Sequence, residues 1–132
     1  MKPLKLNFDP FPVLETERLT LRKLEISDAK DYHDIRSNKK VMEYIARPVA
    51  QTIDDTIGVI ERVHETIKKE EGINWALCLK NDPKIIGTIG FYRTQKEHFR
   101  TEIGYEMRPE HWGKGIMSEA IQAVLDLSLI HI

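Results

Sequence analysis

The stretch that decides the fold runs from residue 102 to residue 120 and reads EIGYEMRPEHWGKGIMSEA. In its first part, the apolar residues Ile103, Tyr105 and Met107 alternate with other residue types at a period of two, which is typical of a β-strand. Its last part carries an apolar stripe at helical spacing, formed by Met117, Ala120 and, beyond the stretch, Ile121, Val124 and Leu125. Gly113 and Gly115 lie between the two parts. The stretch therefore predicts a strand, a glycine loop and a helix, in that order.

Two further strands precede this one. Trp75, Leu77 and Leu79 alternate with Ala76 and Cys78, and a second run extends from Ile85 to Tyr92. The turn residues Asn81-Asp82-Pro83 separate these two runs. On the third strand, one face is lined by Phe99, Thr101, Ile103, Tyr105 and Met107, and the other by Glu102, Gly104 and Glu106. The short spacing predicts antiparallel neighbours.

Helices are predicted upstream of the strands. The clearest pattern is an apolar stripe at three- and four-residue steps, formed by Ile53, Ile57, Ile60, Val63 and Ile67. Thr52 and Asp55 form a capping box before it, and Gly72 is the expected C-cap. Ser27-Asp28 opens an earlier helix, residues 18–22 form a first strand, and residues 1–14 are an irregular lead-in. The fold class is α+β, in a single domain over residues 1–132.

Composition excludes several classes of protein. The 132 residues carry a formal net charge of −1, which argues against a nucleic-acid binder held by bulk electrostatics. Cys78 is the single cysteine, so no internal disulfide forms. The five histidines lack metal-ligand spacing, and no apolar run is long enough to cross a membrane. We expect a cytoplasmic protein without a metal.

The last six residues, 127–132, read LSLIHI and stop without a cap or a polar tail. A helix that packs on a sheet normally leads to another strand. Our hypothesis is that the natural chain continues and that residues 127–132 depart from its sequence.

The glycine loop is the strongest candidate binding site. A helix N-terminus presents free N–H groups and the positive end of a dipole, which suits a phosphate, and Lys114 adds a positive charge. A plain tight turn remains the alternative. The G-x-x-x-x-G-K-[ST] loop and the third glycine of a dinucleotide fingerprint are both absent.

Three blocks together resemble the GNAT family of N-acetyltransferases, in the branch of the ribosomal-protein N-terminal enzymes. They are residues 14–22 (LETERLTLR), residues 86–91 (IGTIGF) and the stretch from residue 102 to residue 120. The resemblance implies a central, mostly antiparallel sheet flanked by helices, whose C-terminal strands are missing here. It also implies acetyl-CoA as the acetyl donor. The broad family motif is Q/R-x-x-G-x-G/A, and Glu110 departs from it at the first position.

The resemblance also implies which residues bind the donor. The backbone at Met107 would pair with the pantetheine arm, and a backbone N–H there would polarise the thioester carbonyl. The pyrophosphate would lie on amides of the segment His111, Trp112, Gly113, Lys114, Gly115, Ile116 and Met117. Glu102 is the candidate base for the acceptor amine, acting through water; a solvated or salt-bridged carboxylate is the alternative. The general acid is expected beyond residue 132.

The acceptor stays open at this point. A protein or peptide N-terminus is the leading choice, and a small amine such as an antibiotic or a polyamine is the rival. Arg47 either lines the acceptor groove or has no such role. A non-catalytic acyl-CoA-binding module is a further alternative, and a domain without a ligand is disfavoured by the two loop glycines. An unpaired last strand favours self-association, so a homodimer is expected as well.

Overall fold

Five strands form one antiparallel sheet in the computed structural model, which describes residues 11–43, 49–69, 71–95 and 100–131. The strands are β1 (Leu14–Glu15), β2 (Leu19–Lys23), β3 (Gly72–Leu79), β4 (Ile85–Gln95) and β5 (Arg100–Met107). Their spatial order follows the chain order. The register places Leu21 opposite Leu77 and Thr88 opposite Glu106. The predicted meander of three strands is therefore confirmed, and it is extended by two strands on the β3 side.

Within the described part of the chain, four helices cover the two faces of this sheet. They are α1 (Ala29–Arg36), α2 (Lys39–Met42), α3 (Ile53–Lys68) and α4 (Ile116–His131). On one face, Ile116, Ala120 and Val124 of α4 pack against a cluster that includes Trp75 and Ile89. The first three helices pack on the opposite face, where Tyr32 and Ile60 join Ala76 and Cys78. These two layers confirm the predicted α+β class.

Strand β3 lies at the centre of both apolar clusters. Because successive side chains of a strand point to opposite faces, Trp75 and Leu77 enter the cluster under α4, and Ala76 and Cys78 enter the other. All four residues are buried. Burying apolar area of this kind contributes about 25 cal/mol per Å², so the sheet is held by both helical layers.

The helix ends agree with the sequence in one case and differ in two. Thr52 accepts from the Asp55 N–H, and Asp55 accepts in return from the Thr52 N–H, so the predicted capping box is confirmed. Helix α3 ends with Lys69 as its C-cap, whereas Gly72 is the first residue of β3. The expected cap at Gly72 is therefore wrong, because the chain turns into the sheet three residues after Lys69.

The start of the first helix also differs from its prediction. A short 3-10 turn occupies Ile26–Asp28 before α1 begins at Ala29. Asp28 accepts a hydrogen bond from the Glu25 N–H at 2.8 Å, so Asp28 closes this turn and Ser27 does not cap it. Asp28 also binds Arg22 through two hydrogen bonds of 2.7 and 2.8 Å. This ion pair joins β2 to the beginning of α1.

Each of the two predicted apolar stripes has one exposed member in the structure, while its other members are buried or partly buried. Leu125 of α4 is exposed, while Ile116 takes the buried position at the start of that helix. In α3, Thr56, Val59 and Ile60 are buried, while Ile53 at its first position is exposed. The first residue of a helix lies at its solvent end, so periodicity alone overestimates the burial of Ile53. Within the described residues, no helix is long and apolar enough to span a membrane.

Candidate functional site

The outer edge of β5 is the first part of the candidate site. Among the described residues, β5 pairs with β4 on one side. The Arg108 N–H donates to the Ile86 carbonyl at 2.8 Å. Because backbone groups alternate in direction along an antiparallel strand, the N–H groups of Tyr105 and Met107 point away from β4. The strand therefore offers backbone donors at its outer edge.

The glycine loop follows directly. A 3-10 turn spans Pro109–His111, and within it the N–H groups of His111 and Trp112 donate to the carbonyls of Arg108 and Pro109 at 3.1 and 3.0 Å. Gly113 and Gly115 each have φ near +75°, a conformation that residues with a side chain rarely adopt. Helix α4 begins at Ile116, and its first N–H groups have no partner within the helix. The free amides of the loop thus begin at Gly113.

Trp112 closes the loop against the end of β5. Its indole Nε1–H donates to the Met107 carbonyl at 2.8 Å. The Lys40 ammonium lies 5.4 Å from the centre of its ring, within the range of a cation–π contact. Trp112 therefore connects three elements: the end of β5, the loop and α2.

Arg18 and Glu119 hold the loop from the other side. The Arg18 Nε donates to Glu119 Oε1 at 2.8 Å, and Arg18 Nη1 donates to the Lys114 carbonyl at 3.0 Å. Glu119 Oε2 accepts from the Thr16 hydroxyl and from the Arg18 N–H. Led by the Thr16 hydroxyl, these donors lower the pKa of Glu119 from 4.5 to about 2. The turn before β2 is thereby fixed to the first turn of α4.

A buried polar cluster lies behind the end of β5. Glu106 accepts from the Tyr32 hydroxyl at 2.5 Å, from the Thr88 hydroxyl at 3.1 Å and from Arg36 Nη1 at 3.2 Å. The side chains of Arg36 and Glu106 are 6% and 5% exposed. Burial, followed by the negative charge of Glu106, raises the pKa of Tyr32 well above its ordinary value. Tyr32 therefore stays protonated and donates to the carboxylate.

Arg108 adds a second link between the end of β5 and α1. Its Nη2 donates to the Asp31 carbonyl at 2.9 Å, and its Nε donates to the Ile85 carbonyl at 3.2 Å. The Asp34 carboxylate is 3.7 Å away. Strand β5 is thus anchored on its inner side, while its outer edge faces away from the sheet.

The comparisons with known proteins agree with this architecture. A family model described as an acetyltransferase (GNAT) domain matches residues 18–130. The uncharacterized N-acetyltransferase YoaA of Bacillus subtilis is 37% identical over 115 residues, which are 87% of this chain and 65% of YoaA. The chain belongs to the GNAT acetyltransferase family.

The solved structure of a GNAT-family acetyltransferase from Bacillus anthracis is similar to this GNAT domain, with a TM-score of 0.71 and a sequence identity of 31%. The match covers 86% of this chain and 64% of the Bacillus anthracis chain. The RimL ribosomal L7/L12 alpha-N-protein acetyltransferase, solved with coenzyme A, shares the fold alone, with a TM-score of 0.75, 19% identity, and coverage of 87% and 66%. The spermidine N(1)-acetyltransferase of Vibrio cholerae is 25% identical over 84% of this chain and 62% of its own. The chain thus spans about two thirds or less of the length of each of these relatives, and 65% of the length of YoaA.

The sequence-predicted site residues of the GNAT domain divide into two groups. Met107 and the loop residues from His111 to Met117 lie together between the end of β5 and the start of α4. The backbone of Glu102 lies on β5 opposite Tyr92, and its side chain is outside the described residues. Arg47 is outside them as well. The described residues contain no cluster of His, Cys, Asp and Glu that suits a metal ion.

Three contributions to this site of the GNAT domain were not predicted from the sequence: the Arg18–Glu119 pair, the Glu106 cluster and the indole bond of Trp112. The sequence does place an acid, Glu119, in the first turn of α4, where acids are favoured. Its partner lies 101 residues away in sequence, so spacing gives no signal for it. Cys78 is buried, and burial raises the pKa of its thiol.

Proposed function

We propose that this chain is the acetyl-CoA-binding core of an N-acetyltransferase that moves an acetyl group to a primary amine. The observation that carries the proposal is the convergence of two sets of backbone donors. The outward N–H groups of Tyr105 and Met107 lie on β5, and the amides from Gly113 to Met117 lie at the start of α4. Trp112 holds the two sets together through the Met107 carbonyl. This arrangement suits a ligand with an extended amide-bearing arm and a diphosphate.

The loop residues fit the diphosphate in two respects. Free N–H groups at a helix N-terminus stabilise negative charge, and the positive φ of Gly113 and Gly115 lets the backbone approach closely. Because the amides of His111 and Trp112 are engaged in the 3-10 turn, we assign the phosphate contacts to the segment from Gly113 to Met117. His111 and Trp112 then shape the base of the loop. Glu110 replaces the Gln or Arg of the family motif, and we expect this replacement to leave diphosphate binding intact, since backbone groups make the contacts.

The reaction proposed is direct transfer. The acceptor nitrogen attacks the thioester carbonyl carbon, the C–S bond breaks, and the thiolate takes up a proton. An outward N–H of β5 stabilises the charge that develops on the carbonyl oxygen. Glu102 is our candidate for removing the proton from the amine, through a water molecule. That role stays a proposal and rests on the position of Glu102 on the same strand, five residues before Met107.

The acceptor we favour is the N-terminal amine of a protein or peptide. The resemblance of residues 14–22 and 102–120 to that branch supports this choice, as does the shared fold of RimL. A small amine such as a polyamine is the second candidate, supported by the 25% identity to a spermidine N(1)-acetyltransferase. Turnover of acetyl-CoA with an N-terminal peptide but not with spermidine distinguishes the first candidate from the second. Binding of acetyl-CoA by the complete protein, without turnover on any peptide or small amine, would instead indicate a non-catalytic acyl-CoA-binding module.

The test of the cofactor assignment is a thermal melt with and without acetyl-CoA. A ligand that binds only the folded state raises the melting midpoint. At a ligand concentration one hundred times Kd, it adds about 2.7 kcal/mol to the free energy of unfolding. We expect a clear rise for the wild-type chain. Gly115→Val should abolish most of it, because valine resists a φ of +75°.

Gly58→Ala is the matched control for this experiment. Gly58 lies inside α3, and an added Cβ would meet only Arg62 Nη1 at an ordinary 3.7 Å. Alanine favours the helix by about 0.5–1 kcal/mol over glycine, so this variant should melt slightly higher and keep the full response to acetyl-CoA. An equal response of Gly115→Val and wild type would refute the loop assignment.

A further inference from the structure

Arg18 contacts the glycine loop although it lies before β2, far from the loop in sequence. Its Nη1 donates to the Lys114 carbonyl at 3.0 Å, and its Nη2 lies 3.6 Å from the position that a Cβ on Gly115 would take. We propose that Arg18, held by Glu119, is a positioning residue that sets the orientation of the loop amides for the diphosphate of acetyl-CoA. This inference rests on the proposed function and adds to it a residue pair outside the family's glycine motif.

One peptide group determines the direction of the Gly115 amide. The Lys114 carbonyl and the Gly115 N–H belong to the same planar, trans unit, so they point in opposite directions. When Arg18 binds the carbonyl on its own side, the Gly115 N–H must point away from Arg18. Gly115 borders this unit and adopts positive and negative φ about equally well, so the chain itself leaves the unit free to rotate. An external contact is therefore needed to fix it.

Glu119 fixes the guanidinium in turn. Its Oε1 accepts from Arg18 Nε at 2.8 Å, and its Oε2 accepts from the Arg18 N–H at 3.0 Å and from the Thr16 hydroxyl. The Thr16 oxygen also accepts from the Leu19 N–H at 3.0 Å. Each carboxylate oxygen thus has a donor on the turn before β2. The planar fork of arginine can satisfy Glu119 and Lys114 at the same time, whereas a lysine ammonium has no such fork.

A direct phosphate contact is a poorer account of Arg18. Its Nε and Nη1 are already used, and its charge is paired with Glu119 at 2.8 Å. The two accounts predict opposite effects for the Glu119 charge. A carboxylate near a bound diphosphate repels it, so an electrostatic role for the pair predicts tighter binding when that charge is removed. A positioning role predicts weaker binding, because a glutamine can no longer accept from all three donors.

The experiment measures the Kd of acetyl-CoA by isothermal titration calorimetry on the 132-residue chain and its variants. We expect Arg18→Ala and Glu119→Gln each to raise Kd about tenfold, the equivalent of one hydrogen bond to a charged group. Arg18→Lys keeps the charge and should still weaken binding by several fold. Melts without ligand accompany each titration and show which variants are folded.

Arg22→Ala is the matched control, since Arg22 lies in β2 and pairs with Asp28 at 2.7 Å without contacting the loop. It should lower the melting temperature and leave Kd unchanged. Wild-type Kd values for Arg18→Lys and Glu119→Gln, or tighter binding by Glu119→Gln, would overturn the positioning role while leaving the cofactor assignment intact. Failure of the wild-type chain to bind acetyl-CoA would overturn both.

Discussion

At the scale of single residues, the charged Glu106 is buried although apolar residues just before it on β5 are exposed. On β5 the apolar residues Ile103 and Tyr105 are 37% and 54% exposed, whereas Glu106, counted as a whole residue, is 7% exposed. The reason is that Glu106 points to the face covered by α1. There, Tyr32, Thr88 and Arg36 supply three hydrogen-bond donors to its carboxylate. A buried charge is tolerated when it is paired and hydrogen-bonded. This cluster joins the inner face of β5 to α1.

Removing one charge of this cluster should be costly. Glu106→Ala leaves the guanidinium of Arg36 buried and without its partner, so we expect the free energy of unfolding to fall by about 3–5 kcal/mol. Urea unfolding measures this change. The double variant Glu106→Ala with Arg36→Ala should lose less than the sum of the two single variants, because the two groups contact each other. Strict additivity would show that the pair makes no coupled contribution.

At the scale of elements, the joints between strands and helices decide the site. Gly87 of β4 allows the end of β5 to approach closely, since a Cβ there would lie 2.3 Å from the Glu106 carbonyl oxygen. Arg108 then binds α1, Trp112 binds back to β5, and Glu119 binds the turn before β2. The glycine loop is therefore held at both ends by elements that are distant in sequence.

The joint between this turn and α4 should weaken in acid. The pKa of Glu119 lies at about 2 in the folded chain, below its ordinary 4.5, so its contribution is fully present above pH 4.5 and is lost as the pH falls towards 2. We expect the difference in unfolding free energy between wild type and Glu119→Gln to shrink over this interval. Asp55, whose pKa is also lowered, titrates in both proteins and cancels from the difference. A difference that stays constant from pH 5 to pH 2.5 would contradict this assignment.

At the scale of the whole molecule, sequence periodicity predicted the order of elements and the antiparallel meander. It did so because hydrophobic alternation and turn residues are local signals, as in residues 75–92. The glycine loop was predicted for a similar reason, since only particular residues adopt the φ of +75° found at Gly113 and Gly115. The contacts that hold the loop and the end of β5, from Arg18 to Glu119 and from Tyr32 to Glu106, arise only when the chain folds. Their sequence separations of 101 and 74 residues leave no periodic trace.

The central claim is that acetyl-CoA lies along the outer edge of β5 with its diphosphate on the amides from Gly113 to Met117. Backbone amide chemical shifts, followed by NMR while acetyl-CoA is added to the 15N-labelled chain, test this claim most directly. The account predicts the largest changes at Tyr105, Met107 and the loop amides, and little change along α3. Saturation with unchanged loop amides, or changes concentrated on another surface, would contradict it.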